Sequence, residues 1–412
     1  MQGKIYLPGL LALGLLAGAG AASAATVTVQ LAYYSSFTKP FFQKMAKEFE
    51  AAHPSVHIQI QEANWNNLHQ VLLTDLSGNQ APDLSIIGTR WLPEFVSSKV
   101  VEPLSGLSSS FLNQFIPAFL KPSTLQGTLY GLPWAASDRA LIYNKGLFAK
   151  AGIQSPPKTW AQLEQDAAKL SKLPGVYGFG LQGGQIETDV YYYYALWGAG
   201  GNLLTPQGTS GLGTPAALKA LNFYMTLIKK GLTEPNVTGV SREDLRTLFV
   251  QGRLGMFIYL PPIIGYMKTH APNIHYGISA IPALSRPSTY AVTDTIAMFK
   301  PSVTGASAAD VAASKQFLEF LYQTKNRVAY NKGEGFLPVE KAVAADPFFK
   351  NNPRLNAFVK LLPTARFAPV IPQWSQISNL TINMLQSVYL GKEIPAQALK
   401  ATAQKIDKLL GK

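Results

Sequence analysis

Cysteine is absent from all 412 positions, which excludes a disulfide framework, a thiolate metal site, an iron–sulfur cluster and a cysteine nucleophile. Charge is scarce as well. Asp, Glu, Lys and Arg make up 14% of the chain, where about 25% is usual, so the surface must be polar mainly through neutral groups. The five histidines, His53, His57, His69, His270 and His275, fall in no HExxH or other close metal-ligand spacing. No GxSxG elbow, GxxxxGKS loop or GxGxxG turn after the first strand occurs, so serine hydrolysis and nucleotide binding by those devices have no support. No metal and no cofactor is expected. Downstream of the N-terminus there is no uninterrupted run of 18 apolar residues, which argues against a membrane-spanning permease.

What is there is a chain long enough for two domains, 47% hydrophobic and therefore able to build large cores. The start, MQGKIYLPGLLALGLLAGAGAASAAT, has one cation at Lys4, an apolar stretch from Leu7 to Ala22, and small residues at Ala22 and Ala24. That is the pattern of an export signal spanning residues 1–25, which predicts a soluble periplasmic or extracellular protein after cleavage. No cysteine is available to carry a lipid at the new N-terminus.

From Val27 the apolar pattern reads strand, helix, strand, helix, strand: VTVQLAY, FFQKMAKEFEAAHP, VHIQIQEA, WNNLHQVLLTDLSG and APDLSIIG. A βαβαβ order predicts a parallel α/β sheet with helical crossovers. KTWAQLEQDAAKLSK, YYYYALWGAGG and ALKALNFYMTLIKKG read as helices, and SREDLRTLFVQGRLGMFIYL as a Ser-capped helix running into a strand. HYGISAIPAL and TYAVTDTIAMFK read as strands, and helices dominate from ADVAASKQFLEFLYQ onward. No repeat and no long linker separates these units.

The formal charge of +13 concentrates toward the C-terminus, where residues 341–412 hold ten cations and three anions. The cations, eight Lys and two Arg, stand singly along the segment, without Arg clusters or basic-aromatic interleaving. A solvated basic face is expected, and no nucleic-acid groove. Aromatic rings beside polar residues in Gly- and Pro-rich places suggest stacking platforms for sugar rings. Among these, Trp65, Trp134 and Trp374 are expected in a site, and Tyr193, Tyr224 and Trp160 in a core. The carboxylates Asp83, Asp138, Glu187, Asp189 and Asp294 could be paired on paper for glycoside hydrolysis, but nothing in the sequence fixes the roughly 5 or 9 Å separations that chemistry requires.

The stretch GTLYGLPWAASDRALIYNKGLFAKAGIQSPPKTWAQLEQDAAKL, from Gly127 to Leu170, closely resembles the central motif of extracellular solute-binding proteins of ABC transporters in the sugar and glycerol-phosphate group. Three further matches follow the same order: residues 65–84, residues 275–296, and GFLPV at 335–339. The resemblance implies a two-lobed α/β periplasmic-binding-protein fold, type II and similar to that of maltose-binding protein. It implies lobe one at 26–137 plus 294–340 and lobe two at 138–293 plus 341–412. It further implies a monomer without catalytic activity that binds a carbohydrate by closing its lobes and docks transiently on a permease. Where the motifs match, it places ligand contacts at Tyr34, Ser35, Trp65, Arg90, Trp134, Ser137, Trp197, Tyr259, Thr293, Asp294, Phe336 and Arg366, and it leaves Asp83 a structural role. In the glycerol-phosphate branch a tyrosine stands in the GYLP motif where this chain has Phe336. Asp294 would repel a phosphate and accept sugar hydroxyls, which favours a neutral mono-, di- or oligosaccharide. Arg366 keeps glycerol-3-phosphate or a glycerophosphodiester open as the alternative, with a secreted glycoside-active enzyme more remote.

Overall fold

The computed structural model describes residues 24–184 and 187–412; the expected export signal lies outside them apart from its last two positions. Nine strands build the two main sheets: β1 (Ala25–Tyr33), β2 (Val56–Asn64), β3 (Leu84–Gly88), β4 (Gly131–Ser137), β5 (Ala140–Asn144), β6 (Tyr177–Gly180), β7 (Leu254–Tyr259), β8 (Tyr276–Ser279) and β9 (Val292–Met298). The helices that position the site are α1 (Thr38–Ala52), α2 (Trp65–Ser77), α3 (Trp160–Leu170), α4 (Thr188–Gly198), α5 (Arg242–Val250), α6 (Ile263–His270), α7 (Thr324–Glu334) and α8 (Trp374–Tyr389).

The first sheet has the order β2-β1-β3-β9-β4 and the second β8-β5-β7-β6. β1 pairs in parallel with both β2 and β3, as the βαβαβ pattern predicts. β9, entering from the second lobe, runs antiparallel between β3 and β4. The fold is therefore a two-lobed α/β architecture in which the chain crosses between lobes more than once. One crossing is the two-residue step from β4 to β5 through Asp138 and Arg139. Another is the segment between β8 and β9, whose Thr289–Tyr290 pairs with Ala365–Arg366. In the second sheet β5 is antiparallel to β7 and β8, and β6 is parallel to β7.

Local chemistry explains the main elements. α1 buries Phe41, Phe42, Met45, Ala46 and Phe49, the apolar face of one amphipathic helix. Thr159 caps α3 and Ser241 caps α5, each in a reciprocal capping box with the residue three positions on. The Asp83 carboxylate accepts the Thr28 amide at 2.8 Å, so it ties the turn before β3 to β1. Trp160, Tyr193 and Tyr224 are buried in the core. α8 bridges both lobes: Ser375 donates to Glu94 at 2.6 Å and Ser378 to Asp189 at 2.7 Å. No helix among the described residues is long and apolar enough to cross a membrane.

Candidate ligand-binding cleft

A cleft of about 720 Å³ opens between the two sheets, within the usual size of a small-molecule site. Its first wall is made where β1, β2 and β4 end and by residues around α7; its second comes from α5, the end of β7, and α6. Carboxyl ends of parallel strands are where open α/β sheets hold ligands, since side chains from successive loops converge there.

The first wall is aromatic. Tyr34, directly after β1, meets Phe336 edge-on with centroids 4.8 Å apart and lies 6.0 Å from Trp65. Trp65, the first residue of α2, stacks on Trp91 at 5.0 Å. Gly88 makes this approach possible, because a Cβ there would lie 3.3 Å from the Trp65 ring and 3.4 Å from Trp91. Beside Tyr34 stands Asp294. The pairing of β9 with β4 shifts register at Asp294/Thr295, the kind of irregularity that re-aims a side chain at the rim of a sheet. Tyr34 donates to Asp294 Oδ2 at 2.6 Å, while Oδ1 is buried with no partner among the described residues. Burial raises the Asp294 pKa to about 7 against the opposing Tyr34 hydrogen bond and nearby arginines. Glu334 is likewise raised to about 7 by burial, although Thr38 donates to it.

The second wall is charged, and its centre is Glu187. Arg242 Nη1 lies 2.7 Å from one carboxylate oxygen, with Arg90 at 3.5 Å and Arg139 at 3.7 Å from the other. Burial works against ionisation of Glu187, but Arg242, Arg139 and Arg90 outweigh it and hold its pKa at about 2. Glu187 adopts φ +74°, a left-handed backbone at the start of α4 that is costly for a non-glycine residue. Arg242 also pairs with Glu243 at 2.9 Å. Arg246, one turn further along α5, donates to Tyr259 Oη at 3.3 Å and lies over the Tyr266 ring at 3.9 Å.

Of the residues expected from sequence, Tyr34, Ser35, Trp65, Ser137, Tyr259, Asp294 and Phe336 line the cleft. Arg90 stands one layer behind, between Glu187 and the rings of Trp65 and Trp91, which are 5.7 and 5.5 Å from its guanidinium carbon. Five expectations are corrected. Trp134 is fully buried in the core, among Phe42, Tyr322, Tyr330 and the guanidinium of Arg327. Trp197 is buried against Tyr290 with near-parallel rings at 5.6 Å. Thr293 is buried, and its carbonyl accepts the Thr89 hydroxyl. Arg366 lies outside the cleft, where it donates to Asn202 at 2.7 Å beside Trp197; it makes neither an anion site there nor an ion pair with any described residue. Trp374 is also core, packed on Tyr193.

Sequence reasoning missed Arg139, Arg242, Glu243, Arg246, Tyr266 and Glu334 on the cleft walls, and it weighed Glu187 only as a catalytic acid. One signal was available: Arg242 and Arg246 stand four apart behind a Ser cap, so they share a helix face.

Residues 34–328 match the family described as bacterial extracellular solute-binding protein. The chain belongs to that family. A Brucella abortus (strain 2308) protein whose name specifies binding but no ligand is 48% identical over 409 residues, covering 98% of each chain. The diacetylchitobiose binding protein of Streptomyces coelicolor is 27% identical over 417 residues, covering 96% of this chain and 92% of its own. Among solved structures, a solute-binding protein of an ABC transporter from Thermotoga lettingae, bound with α-D-tagatose, superposes with a TM-score of 0.84 at 28% identity. That match covers 94% of this chain and all of the other. The family is one of binding proteins rather than enzymes.

Proposed function

We propose that this protein is the substrate-binding subunit of an ABC importer, taking a mono-, di- or oligosaccharide into the cleft and presenting it to a membrane permease. The observation that carries this reading is the pairing of an aromatic wall, Trp65, Tyr34 and Phe336, with the unpartnered Asp294 Oδ1 in one cleft. Rings stack on the C–H faces of a sugar, and a carboxylate oxygen takes its hydroxyl protons. The sugars named for the Streptomyces and Thermotoga relatives support the same class.

Recognition works through closure. A ligand touching both walls stabilises the closed arrangement more than the open one, so it shifts a pre-existing equilibrium by its differential contacts. The lobes divide at 26–137 plus 294–340 and 138–293 plus 341–412, with β4–β5, the segment before β9 and the stretch after residue 340 as crossings. Export by the N-terminal signal, a soluble monomer in the periplasm or extracellular space, and permease docking on the closed lobes complete the reading.

Calorimetric titration and scattering with a carbohydrate panel test it. A saccharide should bind and reduce the radius of gyration. Tight binding of glycerol-3-phosphate with no response to any sugar would reverse the ligand assignment.

A further inference from the structure

The cations of the cleft are not equivalent. Arg90, Arg139 and Arg242 share Glu187, and Arg242 also has Glu243. Arg246 has no carboxylate partner among the described residues: its contacts are the Tyr259 hydroxyl and the Tyr266 ring, and its Nε is buried without a hydrogen-bond partner. Lys268, on the same rim, is exposed and also without a described acidic partner. A guanidinium that keeps water in an open cleft loses that water when the lobes close, and an uncompensated charge is costly to bury. The missing counter-charge must then come from what fills the cleft.

We propose that the saccharide taken by this cleft carries a single carboxylate, as a uronic acid does, and that Arg246 receives it. The inference rests on the saccharide reading above and deepens it. Tyr266 lies against the face of the guanidinium, Nε is buried and Nη1 donates to Tyr259, so the Nη1–Nη2 end, with its remaining N–H donors, is the part left for the ligand. A carboxylate, flat and with two oxygens, matches that end in the two-bond geometry of Arg–carboxylate pairs. A phosphate dianion fits less well, because the other arginines of the cleft already have Glu187 and Glu243. On the opposite wall Asp294 and Glu334 are drawn toward the neutral form by burial, so one added negative charge meets little repulsion there. This revises the expectation of a neutral ligand, which treated Asp294 as a fixed anion.

The test uses matched pairs of probes differing only at C6: glucose against glucuronate, galactose against galacturonate, and mannose against mannuronate, with their 1,4-linked dimers. Each is titrated calorimetrically into the protein at about pH 6, below the Asp294 and Glu334 pKa values of about 7 and well above that of a uronic acid, so that the wall carboxyls are mostly neutral and the probe is charged. At least one uronate should bind roughly tenfold or more tightly than its neutral partner. Arg246→Gln should bring that ratio to within about threefold, and Arg246→Lys, which keeps the charge without the fork, should fall between. Thermal melts of both variants establish that they fold. Neutral sugars binding as well as their acids, a ratio unchanged in Arg246→Gln, or preference for glucose-6-phosphate over glucuronate would each overturn this inference while leaving the saccharide reading intact. Binding of none of the sugars or acids would overturn both.

Discussion

The two walls of the cleft are built on opposite electrostatic principles. On the first, Asp294 and Glu334 are isolated carboxyls that burial pushes toward the neutral form, set among Tyr34, Trp65 and Phe336. On the second, Glu187 is as deeply buried yet stays ionised, because three guanidiniums surround it. Burial alone therefore does not decide the state of an acid; the nearest counter-charge does. The first wall can offer a sugar an apolar face and a hydroxyl acceptor, while the second is a rigid frame whose charges are mostly spent on one another.

The sharpest way to break this contrast is to neutralise Glu187. Glu187→Gln leaves Arg90, Arg139 and Arg242 facing one another in a buried place, and removing one partner of a buried charge network costs about 3–5 kcal/mol. The melting temperature should fall far more than for Asp294→Asn, whose carboxyl is already half-protonated near pH 7. Equal losses in denaturant unfolding would mean that the two walls do not differ as described.

Trp65→Ala separates binding from framing. Trp65 supplies the cleft-lining end of a stack continued by Trp91, and losing one aromatic platform should weaken saccharide binding by roughly ten- to hundredfold. Calorimetry on the folded variant measures it, with Trp374→Phe as the comparison, since that ring is buried in the core and should leave affinity alone.

The walls should also answer pH in opposite directions. Asp294, Glu334, the crossing residue Asp138 and the second-lobe Glu234 all have pKa values raised by burial to about 7 or 8. A carboxyl raised on folding contributes stability that is complete below its unfolded value near 4 and is lost as pH rises through 7 to 8. Glu187, lowered to about 2, contributes stability present above pH 4 to 5 and lost as pH falls toward 2. The melting temperature should peak near pH 4, where the two windows meet, and decline on both sides. Asp138 is fully buried, and neither of its oxygens has a partner among the described residues. Asp138→Asn should therefore flatten the falling limb between about pH 4 and 7 by about 1–2 kcal/mol and change little at pH 4. An unaltered limb would count against a strained carboxyl at that crossing.

How much of this was legible depends on the kind of signal. The βαβαβ start and most helices were readable because apolar periodicity reflects one buried face, as in α1 with Phe41, Met45 and Phe49. α7 was not, since it buries polar residues, Asn326, Arg327, Asn331 and Glu334, that periodicity counts as surface. Of two tryptophans in equally suggestive contexts, Trp65 lines the cleft and Trp134 fills the core. The second lies on β4, buried on both faces, so alternation carries no information about which way the ring points. Its partners Phe42, Tyr330 and Arg327 come from distant parts of the chain. The cluster on Glu187 was hidden for the same reason, being assembled from the end of β3, the β4–β5 step and α5.

Arg366 gives the smallest expected effect and tests whether the charged frame ends where the structure ends it. Its fork is directed to Asn202 and its guanidinium lies 5.9 Å from the Trp197 ring, away from the cleft. Its surroundings are partly exposed, so the hydrogen bond and ring contact together are worth no more than about 1 kcal/mol. Arg366→Ala should lower the melting temperature by a few degrees at most and leave affinity for any saccharide, acidic or neutral, within about threefold. An Arg246 variant, one wall away, should change the preference between acid and neutral sugar instead. If Arg366→Ala abolished binding, the ligand would have to reach past Trp197 to the Asn202 edge, and the cleft would be longer than the space between Trp65 and Arg246.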